Sequence, residues 1–460
     1  MNNESNLILL SDSYKYSHAR QYPPDSEYVY SYLESRGGAW PRTVFFGLQY
    51  ILKKYLEGQV ITQEKIDEAE SLINSHMGRP LFNKEGFQYI LDEHEGKLPV
   101  QIKAVPEGSI IPTHNVLMTI CNTDPKCFWL PNFLETLLVQ CWYPITVATQ
   151  SYHLRKLIDN YLELTGDVSL APFKLHDFGF RGVSSIESAG IGGAAHLLSF
   201  LGTDTVAALT FLRDYYGSEN VAGFSIPASE HSTMTSWGRE HEADAMANML
   251  QSYPDGIIAC VSDSYNIFDA CSEIWGTTLK DQIMGRNGTL VVRPDSGNPI
   301  EIVMSCLEIL GEKFGYTINA KGYKVLDPHI RIIQGDGVDS SIIDAILSGM
   351  MSEMWSADNI AFGMGGALLQ KLNRDTLKFA FKCSAIKRSG TWHDVNKDPV
   401  TAAYKKSKAG RFKLIQTSNS LIKTVPYYVP GNDLLQTVFE NGTITKNQNL
   451  TDIRNMLGTV

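Results

Sequence analysis

The sequence predicts an α/β protein in which an irregular (β/α) barrel-like domain is combined with a β-rich (α+β) domain formed by the N-terminal and C-terminal segments. Six short apolar runs between about residues 170 and 372 are each followed by a helical pattern, which is typical of parallel sheets. β-forming residues broken by Pro and Gly fill much of the remaining sequence. With 460 residues, the chain also exceeds the length of one simple core. We expect the β-rich domain at residues 1–165 and 385–460 and the barrel-like domain at residues 166–384.

The segments assigned to the β-rich domain mix strands with helices. EYVYSYLESRG alternates in polarity and predicts a strand, while ITQEKIDEAESLINSHMG has helical spacing. LPVQIKAVPEGSIIPTHNVLMTICNTD carries β-formers between Pro and Gly breaks and predicts several short strands. A long helix is expected within ETLLVQCWYPITVATQSYHLRKLIDNYLELTG. Near the other end, KDPVTAAYKKSKAGRFKL is basic, turn-rich and β-like, so we expect it to join the N-terminal segment.

The predicted barrel-like domain consists of six strands, each followed by a helix. Both the number of these units and the length of the region favour a barrel-like arrangement over a doubly wound sheet. In chain order the pairs are KLHDFGF with GGAAHLLSFLG and Asp204–Tyr216, GFSIPAS with TMTSWGREHEADAMANML, IIACVSDS with YNIFDACSEIW, TLVVRPDSGNP with IEIVMSCLEILGEKFG, IRIIQGDGVD with SIIDAILSGMMSEMW, and NIAFGMGG with ALLQKL.

Composition excludes several functional classes. A formal net charge of −10 argues against general binding of nucleic acid or anionic membranes. No apolar run approaches the roughly 20 residues that a bilayer-spanning helix needs. The seven cysteines are scattered, odd in number and never form a CxxC pair, which favours buried free thiols over a disulfide framework or a zinc site. We therefore expect a cytoplasmic protein.

Polar residues and glycines collect where the predicted strands end. The loops after parallel strands converge on one face, and ligands bind at that face, so six such ends predict an active site there. The polar residues at these ends are His176, Asp177, Arg181, His231, Ser262, Asp263, Arg293, Asp295 and Asp336.

Two glycine-rich strand ends suggest a phosphate ligand. The sequences GDG at 335–337 and GMGG at 363–366 would let backbone N–H groups approach phosphate oxygens, although tight βα turns require glycine too. Neither is a Walker loop or a GxGxxG motif. Arg181 and Arg293 strengthen the phosphate interpretation, because guanidinium groups bind phosphate oxygens in pairs. Asp295 and Asp336 are candidate Mg²⁺ ligands, with turn or helix capping as the alternative.

Six of these segments resemble, in order, the nicotinamide phosphoribosyltransferase family: HDFGFRGVSS, GTDT, ASEHST, RPDSGNP, QGDGVD and FGMGGALLQK. The resemblance extends to LLSDSYKYSHARQYPP, GLQYIL, AVPEGSIIP and QCWYPITVATQS, and so covers almost the whole chain. It implies a type II phosphoribosyltransferase fold and a homodimer with its two active sites at the subunit interface. The implied reaction joins nicotinamide to 5-phosphoribosyl-1-pyrophosphate, releases pyrophosphate and forms nicotinamide mononucleotide for NAD⁺ salvage.

The resemblance also implies a role for each matching residue. Phe178 and the partner subunit's Tyr14 would stack on the two faces of nicotinamide, and Asp204 would accept a hydrogen bond from its carboxamide. His231 would accept a phosphoryl group from ATP, with Glu230 as an orienting or metal-linked carboxylate. The remaining implied contacts to the ring, ribose, pyrophosphate, 5′-phosphate or Mg²⁺ come from Arg181, Arg293, Asp295, Gly335, Asp336, Gly365 and Gly366, and from Arg374 and Lys382 of the partner subunit. His176 and Ser262 are further substrate-binding candidates because of their positions at the strand ends.

The chain departs from the family pattern at two positions, and two other functional classes compete. Asn266 stands where the family usually has Asp, which predicts weaker ATP coupling through His231, because an amide does not stabilise an imidazolium as a carboxylate does. Ala380 replaces a common Ser.

A nicotinate phosphoribosyltransferase of the same fold is the main alternative, and Asp204 argues against it, since nicotinate would place two negative charges together. A non-catalytic relative would be expected to lose the strand-end residues, which are present here.

Overall fold

The computed structural model describes residues 5–398 and 406–460, and it divides into two compact units. The antiparallel unit comprises Met1–Thr149 and Asn373–Leu457, and the barrel unit comprises Gln150–Leu372 and Gly458–Val460. Residues 399–405 of the predicted β-like segment KDPVTAAYKKSKAGRFKL lie outside the described residues. The boundaries differ from the predicted ones at 165/166 and 384/385. The latter would cut the strand Phe379–Arg388, which pairs along its length with Ser26–Ser35.

The elements are numbered in chain order. The strands are β1 Ser26–Ser35, β2 Arg42–Val44, β3 Val100–Ala104, β4 Ile110–Pro112, β5 Val116–Asn122, β6 Leu175–Asp177, β7 Gly202–Thr203, β8 Asp255–Val261, β9 Asn287–Arg293, β10 Tyr316–Ile318, β11 Lys324–Leu326, β12 Ile330–Gln334, β13 Ile360–Met364, β14 Phe379–Arg388, β15 Thr391–Asp394, β16 Phe412–Gln416, β17 Ile422–Pro426, β18 Gln436–Glu440 and β19 Thr443–Ile444. The α-helices are α1 Leu48–Ile51, α2 Gln63–Met77, α3 Lys84–Glu93, α4 Leu130–Phe133, α5 Glu135–Leu138, α6 Trp142–Thr165, α7 Ile186–His196, α8 Val206–Tyr216, α9 His231–Thr235, α10 Glu242–Ser252, α11 Ile267–Asp269, α12 Lys280–Met284, α13 Pro299–Phe314, α14 Ser340–Ser352, α15 Gly366–Leu369 and α16 Leu450–Leu457.

The barrel unit contains a parallel sheet of six strands in the order β7-β6-β13-β12-β9-β8. Each strand lies beside a neighbour in chain order, and β6 pairs with both the next strand, β7, and the last, β13. This cyclic order is that of a (β/α) barrel with one gap, between β7 and β8. The predicted α/β class is confirmed.

The segment GFSIPAS lies in that gap. The N–H of Phe224 donates to Leu201 at 2.7 Å beside β7, and the N–H of Ser229 donates to Ala259 on β8 at 3.0 Å. The prediction of a regular strand here is wrong, because only isolated bridges form. Pro227 has no N–H to donate and interrupts any continuous ladder. The segment nevertheless closes the ring.

The helix predicted over TMTSWGREHEADAMANML is also wrong as a single element. It is divided into α9 and α10, with Gly238 between them at φ +89°. Such a backbone conformation is readily adopted by glycine and ends a helix. The break places His231 at the first position of α9, directly after the segment that closes the ring.

The antiparallel unit contains a seven-stranded sheet in the order β15-β14-β1-β5-β3-β18-β19. Aromatic side chains fill its helical layer: the ring of Phe87 stacks on Phe82 at 5.3 Å between centroids and meets Trp129 and Phe133 edge-on. The register of β1 against β14 sets Tyr32 opposite Lys382 and Ser35 opposite Phe379. This pairing brings the end of β1 beside the start of β14.

Two expectations from composition can be compared with the structure. All seven cysteines are free, and five of them are buried, as predicted, whereas Cys121 and Cys383 are half-buried. Within residues 5–398 and 406–460, no helix is long and apolar enough to cross a membrane.

Candidate active site

A cavity of about 690 Å³ opens at the carboxyl ends of the barrel strands. It is lined by residues from successive strand ends, as the sequence pattern predicts, and nine of them are candidate site residues from that pattern or from the family resemblance. The lining residues are Phe178, Phe180, Arg181, Asp204, Thr205, Glu230, His231, Ser232, Arg293, Asp295, Gly335 and Gly365.

Phe178 covers the barrel interior at the base of this cavity. Its ring packs on the cluster of Ala259, Val291 and Ile333, and its N–H donates to the carbonyl of Met364 at 3.1 Å. The ring occupies the space where a side chain on Gly363 would lie, since a Cβ there would be closer than 3.0 Å to three ring atoms. The glycine therefore permits an aromatic face at the site.

Asp204 presents its carboxylate to the cavity. Its N–H donates to the carbonyl of Asp177 at 2.9 Å, and its Oδ1 accepts a hydrogen bond from the hydroxyl of Ser225. Asp204 does not cap a helix, because α8 begins after Thr205 and has no side-chain cap. Behind it, burial, the main cause, and the negative charge of Asp204 raise the pKa of Asp177 to about 6.

His231 lies between two carboxylates. Its Nε2 is 3.0 Å from Oδ1 of Asp263, whose side chain is 4% exposed and whose other oxygen accepts from the hydroxyl of Ser296. Its Nδ1 is 3.9 Å from Oδ2 of Asp295, which also accepts a bond from Nη2 of Arg293 at 3.2 Å. A buried carboxylate on Nε2 orients the ring and favours a proton on that nitrogen.

Asp263 supplies the carboxylate that contacts Nε2 of this histidine. Asn266 does not deprive His231 of a carboxylate, because its side chain caps α11 and accepts from the N–H of Phe268 at 3.0 Å. Glu230 lines the cavity, but its carboxylate accepts from the hydroxyl of Ser232 at the start of α9. Asp263 was predicted to lie at a strand end, and no role was predicted for it.

Four other predicted residues lie outside the set that lines the cavity. His176 uses Nε2 to contact the carbonyl of Phe173 at 3.0 Å, and burial lowers its pKa. Ser262 is buried, donates to the carbonyl of Cys260 and accepts from the indole of Trp275, so its contacts are those of a core residue. Asp336 is exposed, and Gly366 begins α15.

The proposed metal ligands follow adjacent strands. Asp295 comes after β9 and Asp336 after β12, and these strands pair in parallel. In the described part of the chain, three or more His, Cys, Asp or Glu residues have ligand atoms within 4.8 Å of one another at His94. That group does not include Asp295 or Asp336. Two carboxylates without a complete cage suit Mg²⁺, which retains waters and binds substrate phosphates.

A second cavity, of about 820 Å³, lies in the antiparallel unit and brings together the three residues expected from a partner subunit, namely Tyr14, Arg374 and Lys382. Arg36, Lys378 and Lys397 also line this cavity and were not predicted, because they lie in no motif. The pairing of β1 with β14 brings Arg36 beside Lys378. The other lining residues are Asp12, His114, Glu135, Thr136, Val139, Asp375, Phe379, Ala380 and Phe381.

This second cavity carries excess positive charge. Burial lowers the pKa of Lys382, and the charges of Arg36, Arg374 and Lys15 lower it further, against the opposing effect of Glu135. A cluster of cations in a concave surface, of which Arg36 and Lys382 are partly buried, is suited to binding an anion. Tyr14 is 58% exposed, so its ring is available to a ligand or another chain.

Comparison with known protein families gives two matches. Residues 173–443 match the model described as the nicotinate phosphoribosyltransferase (NAPRTase) family, and residues 6–102 match the model described as nicotinamide phosphoribosyltransferase, N-terminal domain. The chain is 51% identical over 460 residues to a nicotinamide phosphoribosyltransferase of Xanthomonas campestris pv. campestris, covering 98% of this chain and 97% of that one. It is 33% identical to a protein of the same name from Acinetobacter baylyi, covering 97% and 96%.

Solved structures share the fold at low sequence identity. A nicotinate-nucleotide pyrophosphorylase from Pyrococcus furiosus matches with a TM-score of 0.63 and 15% identity, over 99% of this chain and 96% of that one. Human nicotinic acid phosphoribosyltransferase matches with a TM-score of 0.57 and 15% identity, over 98% and 93%.

Proposed function

The chain belongs to the nicotinamide phosphoribosyltransferase family, and from this membership we propose that it condenses nicotinamide with 5-phosphoribosyl-1-pyrophosphate to give nicotinamide mononucleotide and pyrophosphate in NAD⁺ salvage. The observation that carries the assignment to this site is the cavity in which the ring of Phe178 and the carboxylate of Asp204 accompany Arg181 and Arg293. An aromatic face, a hydrogen-bond acceptor and two cations match a pyridine, a carboxamide and a polyphosphate, respectively.

The reaction requires positioning and charge more than proton transfer. As the bond from C1 to the pyrophosphate oxygen breaks, positive charge develops on the ribose and negative charge on the leaving group. The neutral pyridine nitrogen then attacks C1 with its own lone pair, so no general base is needed. Arg181 and Arg293 would stabilise the leaving group, and Phe178 would hold the pyridine in line.

A bound Mg²⁺ would add positive charge at the pyrophosphate. Asp295 and Asp336 are the residues that would hold it, directly or through water, together with phosphate oxygens. Asp295 would then contribute to two functions, because it also bonds Arg293 and faces His231.

Asp204 would select the amide over the acid. We expect wild-type enzyme to prefer nicotinamide strongly, and Asp204→Asn to raise the nicotinate-to-nicotinamide ratio of kcat/KM by about tenfold or more, since removing the carboxylate removes the repulsion of a second one. Mononucleotide formation from each pyridine measures this ratio. Asp214→Asn is the matched control, because Asp214 is in an exposed pair with Arg213. A wild-type preference for nicotinate would overturn the assignment in favour of a nicotinate phosphoribosyltransferase.

His231 would couple ATP hydrolysis to the synthesis. Because Asp263 favours a proton on Nε2, Nδ1 is the nitrogen with a lone pair to attack the γ-phosphorus of ATP. A bond forms from Nδ1 to phosphorus, the bond from phosphorus to the bridging oxygen breaks, and ADP leaves. Water later takes the phosphoryl group as inorganic phosphate. The nearby Arg293 would help to bind the transferred phosphoryl group.

We expect His231→Ala to retain slow mononucleotide synthesis and to lose its stimulation by ATP, because the phosphoryl acceptor is absent while the pyridine and ribose contacts remain. Initial rates with and without ATP test this. His241→Ala is the control, since His241 is 62% exposed and pairs with Asp244 at 2.8 Å. Full ATP stimulation of His231→Ala would refute the phosphohistidine role without affecting the transferase assignment.

We also propose a homodimer with shared active sites. The support is that Tyr14, Arg374 and Lys382 lie together in the antiparallel unit, in a cationic cavity of their own. A second chain could supply them to the barrel cavity, where Tyr14 would face the pyridine. Sedimentation equilibrium at assay concentration tests this, and an active monomer would contradict it. A cytoplasmic location stays a prediction from the free cysteines.

A further inference from the structure

Three side chains with different metal-binding chemistries meet in the antiparallel unit, outside both cavities. They are His94, Asp124 and Cys127, and one ligand atom from each lies within 4.8 Å of the others. His94 follows the last residue of α3, while Asp124 and Cys127 belong to the turn after β5. The nicotinamide and ATP chemistry proposed above uses none of them.

The turn holds two of these groups in fixed positions. Asp124 Oδ1 accepts from the N–H of Lys126 at 2.8 Å, and the carbonyl of Asp124 accepts from the side chain of Asn122 at 2.7 Å. The N–H of Cys127 donates to the same carbonyl at 3.0 Å. The thiol and the carboxylate are therefore set by one short turn and need little reorganisation to bind a common ion.

His94 approaches this turn from the end of α3. Its Nε2 is 3.0 Å from Oδ2 of Asp124, which also accepts from the hydroxyl of Tyr89 at 3.0 Å. Cys127 is buried, whereas the side chains of His94 and Asp124 are 25% and 17% exposed. The cluster is consequently closed on the thiol side and reachable by solvent on the imidazole side.

The ligand types select the metal. Thiolate and imidazole bind Zn²⁺ well, whereas Mg²⁺ and Ca²⁺ prefer sites made of oxygen ligands. In a tetrahedral zinc site with bonds of about 2.0–2.3 Å, ligand atoms lie roughly 3.3–3.8 Å apart. Small side-chain rotations would bring this set to that spacing. We propose that His94, Asp124 and Cys127 form a zinc-binding site whose fourth ligand is water.

Zinc at this position would join the end of α3 to the turn after β5. These two elements are contributed by segments about 30 residues apart, and the side chains of His94 and Tyr89 already bond Asp124 across them. A metal with a thiolate and a carboxylate ligand is electrically neutral as a group, which lowers the cost of its partial burial. A metal that binds the folded state and not the unfolded state would also raise the thermal stability of the chain.

The full-length chain, freed of metal by a chelator, would be titrated with Co²⁺ as a spectroscopic probe and then with Zn²⁺ by calorimetry. We expect one site per chain, a thiolate-to-cobalt charge-transfer band that Zn²⁺ abolishes, and a higher Tm in the presence of Zn²⁺. Cys127→Ser should remove the band, and both Cys127→Ser and His94→Gln should weaken Zn²⁺ binding by more than about tenfold, since even outer-shell changes cost 10–100-fold.

Cys121→Ser is the matched control, because Cys121 lies on β5, just before the same turn, and is not one of the three ligands. It should keep the cobalt band and the affinity. If Cys127→Ser does not fold, His94→Gln decides alone, since His94 is partly exposed. The proposed site would be overturned if His94→Gln left the Zn²⁺ affinity unchanged. It would also be overturned if Cys121→Ser lost the cobalt band equally, or if the wild-type chain gave no band. The transferase assay is not needed for this decision.

Discussion

Replacing Arg293 by glutamine is expected to lower kcat/KM for mononucleotide synthesis by about 10²–10³-fold, the usual cost of removing one preorganised donor from a developing anion. The guanidinium is partly buried at 19% exposure and reaches Asp295 through Nη2. Its Nε is buried and has no hydrogen-bond partner among the described residues, so donor capacity remains for a phosphate oxygen. Glutamine keeps much of the side-chain length but removes the charge that opposes pyrophosphate.

The same change also removes the cation beside Asp295. That carboxylate would then face His231 at 3.9 Å without its guanidinium partner, so ATP stimulation should fall together with the basal rate. Steady-state kinetics in the phosphoribosyl donor, with and without ATP, measure both effects. Arg213→Gln is the control, because Arg213 is 66% exposed on α8. An Arg293→Gln enzyme within threefold of wild type would exclude Arg293 from the pyrophosphate site.

Gly363→Ala should disable the aromatic face without altering any polar group. The added methyl would be closer than 3.0 Å to the ring of Phe178, so the ring must move out of its present position. Overpacking of this kind costs about 1–3 kcal/mol of stability. A misplaced stacking surface should lower kcat/KM for nicotinamide by about 100-fold, since displacements near 1 Å have effects of that size.

Denaturant unfolding and nicotinamide saturation curves separate the two effects. Gly349→Ala is the matched control: it lies within α14, where the nearest atom to an added Cβ is the Met304 sulfur at 4.0 Å. There alanine should stabilise the helix by up to about 1 kcal/mol and leave the kinetics unchanged. Normal nicotinamide kinetics in a folded Gly363→Ala protein would show that the pyridine does not stack on Phe178.

Features that depend on local sequence were predictable. Strand-then-helix alternation and turn residues predicted the parallel sheet and the edge at which the candidate site lies, because apolar periodicity and Pro or Gly breaks act within a few residues. GFSIPAS was wrongly predicted as a regular strand, since one proline outweighed the apolar pattern. The domain boundary at 384/385 differed because β14 is recruited by β1, over three hundred residues earlier, and no local pattern reveals such a partner.

In the candidate site too, residues within local motifs were predictable, whereas contacts between distant segments were not. Motifs identified Phe178, Asp204 and His231, whose positions follow from the strand ends. The pairing of His231 with Asp263 spans 32 residues and depends on how two neighbouring elements of the ring pack. Ser262 was predicted to bind substrate, but its hydroxyl turns towards Trp275 and the core. Side-chain direction at a strand end is set by packing, which sequence spacing does not specify.

The segment that closes the barrel has a mechanical consequence. Two pairs of backbone bonds hold it, at Phe224 and between Pro227–Ser229 and Ala259, whereas β8 and β9 are joined over seven residue pairs. Fewer backbone bonds therefore hold this segment in the barrel than hold the regular strands. Ser225 near one end bonds Asp204, and His231 follows the other end. We therefore expect a pyridine bound at Asp204 and a phosphoryl group on His231 to influence each other through this segment, with the same coupling free energy in both directions.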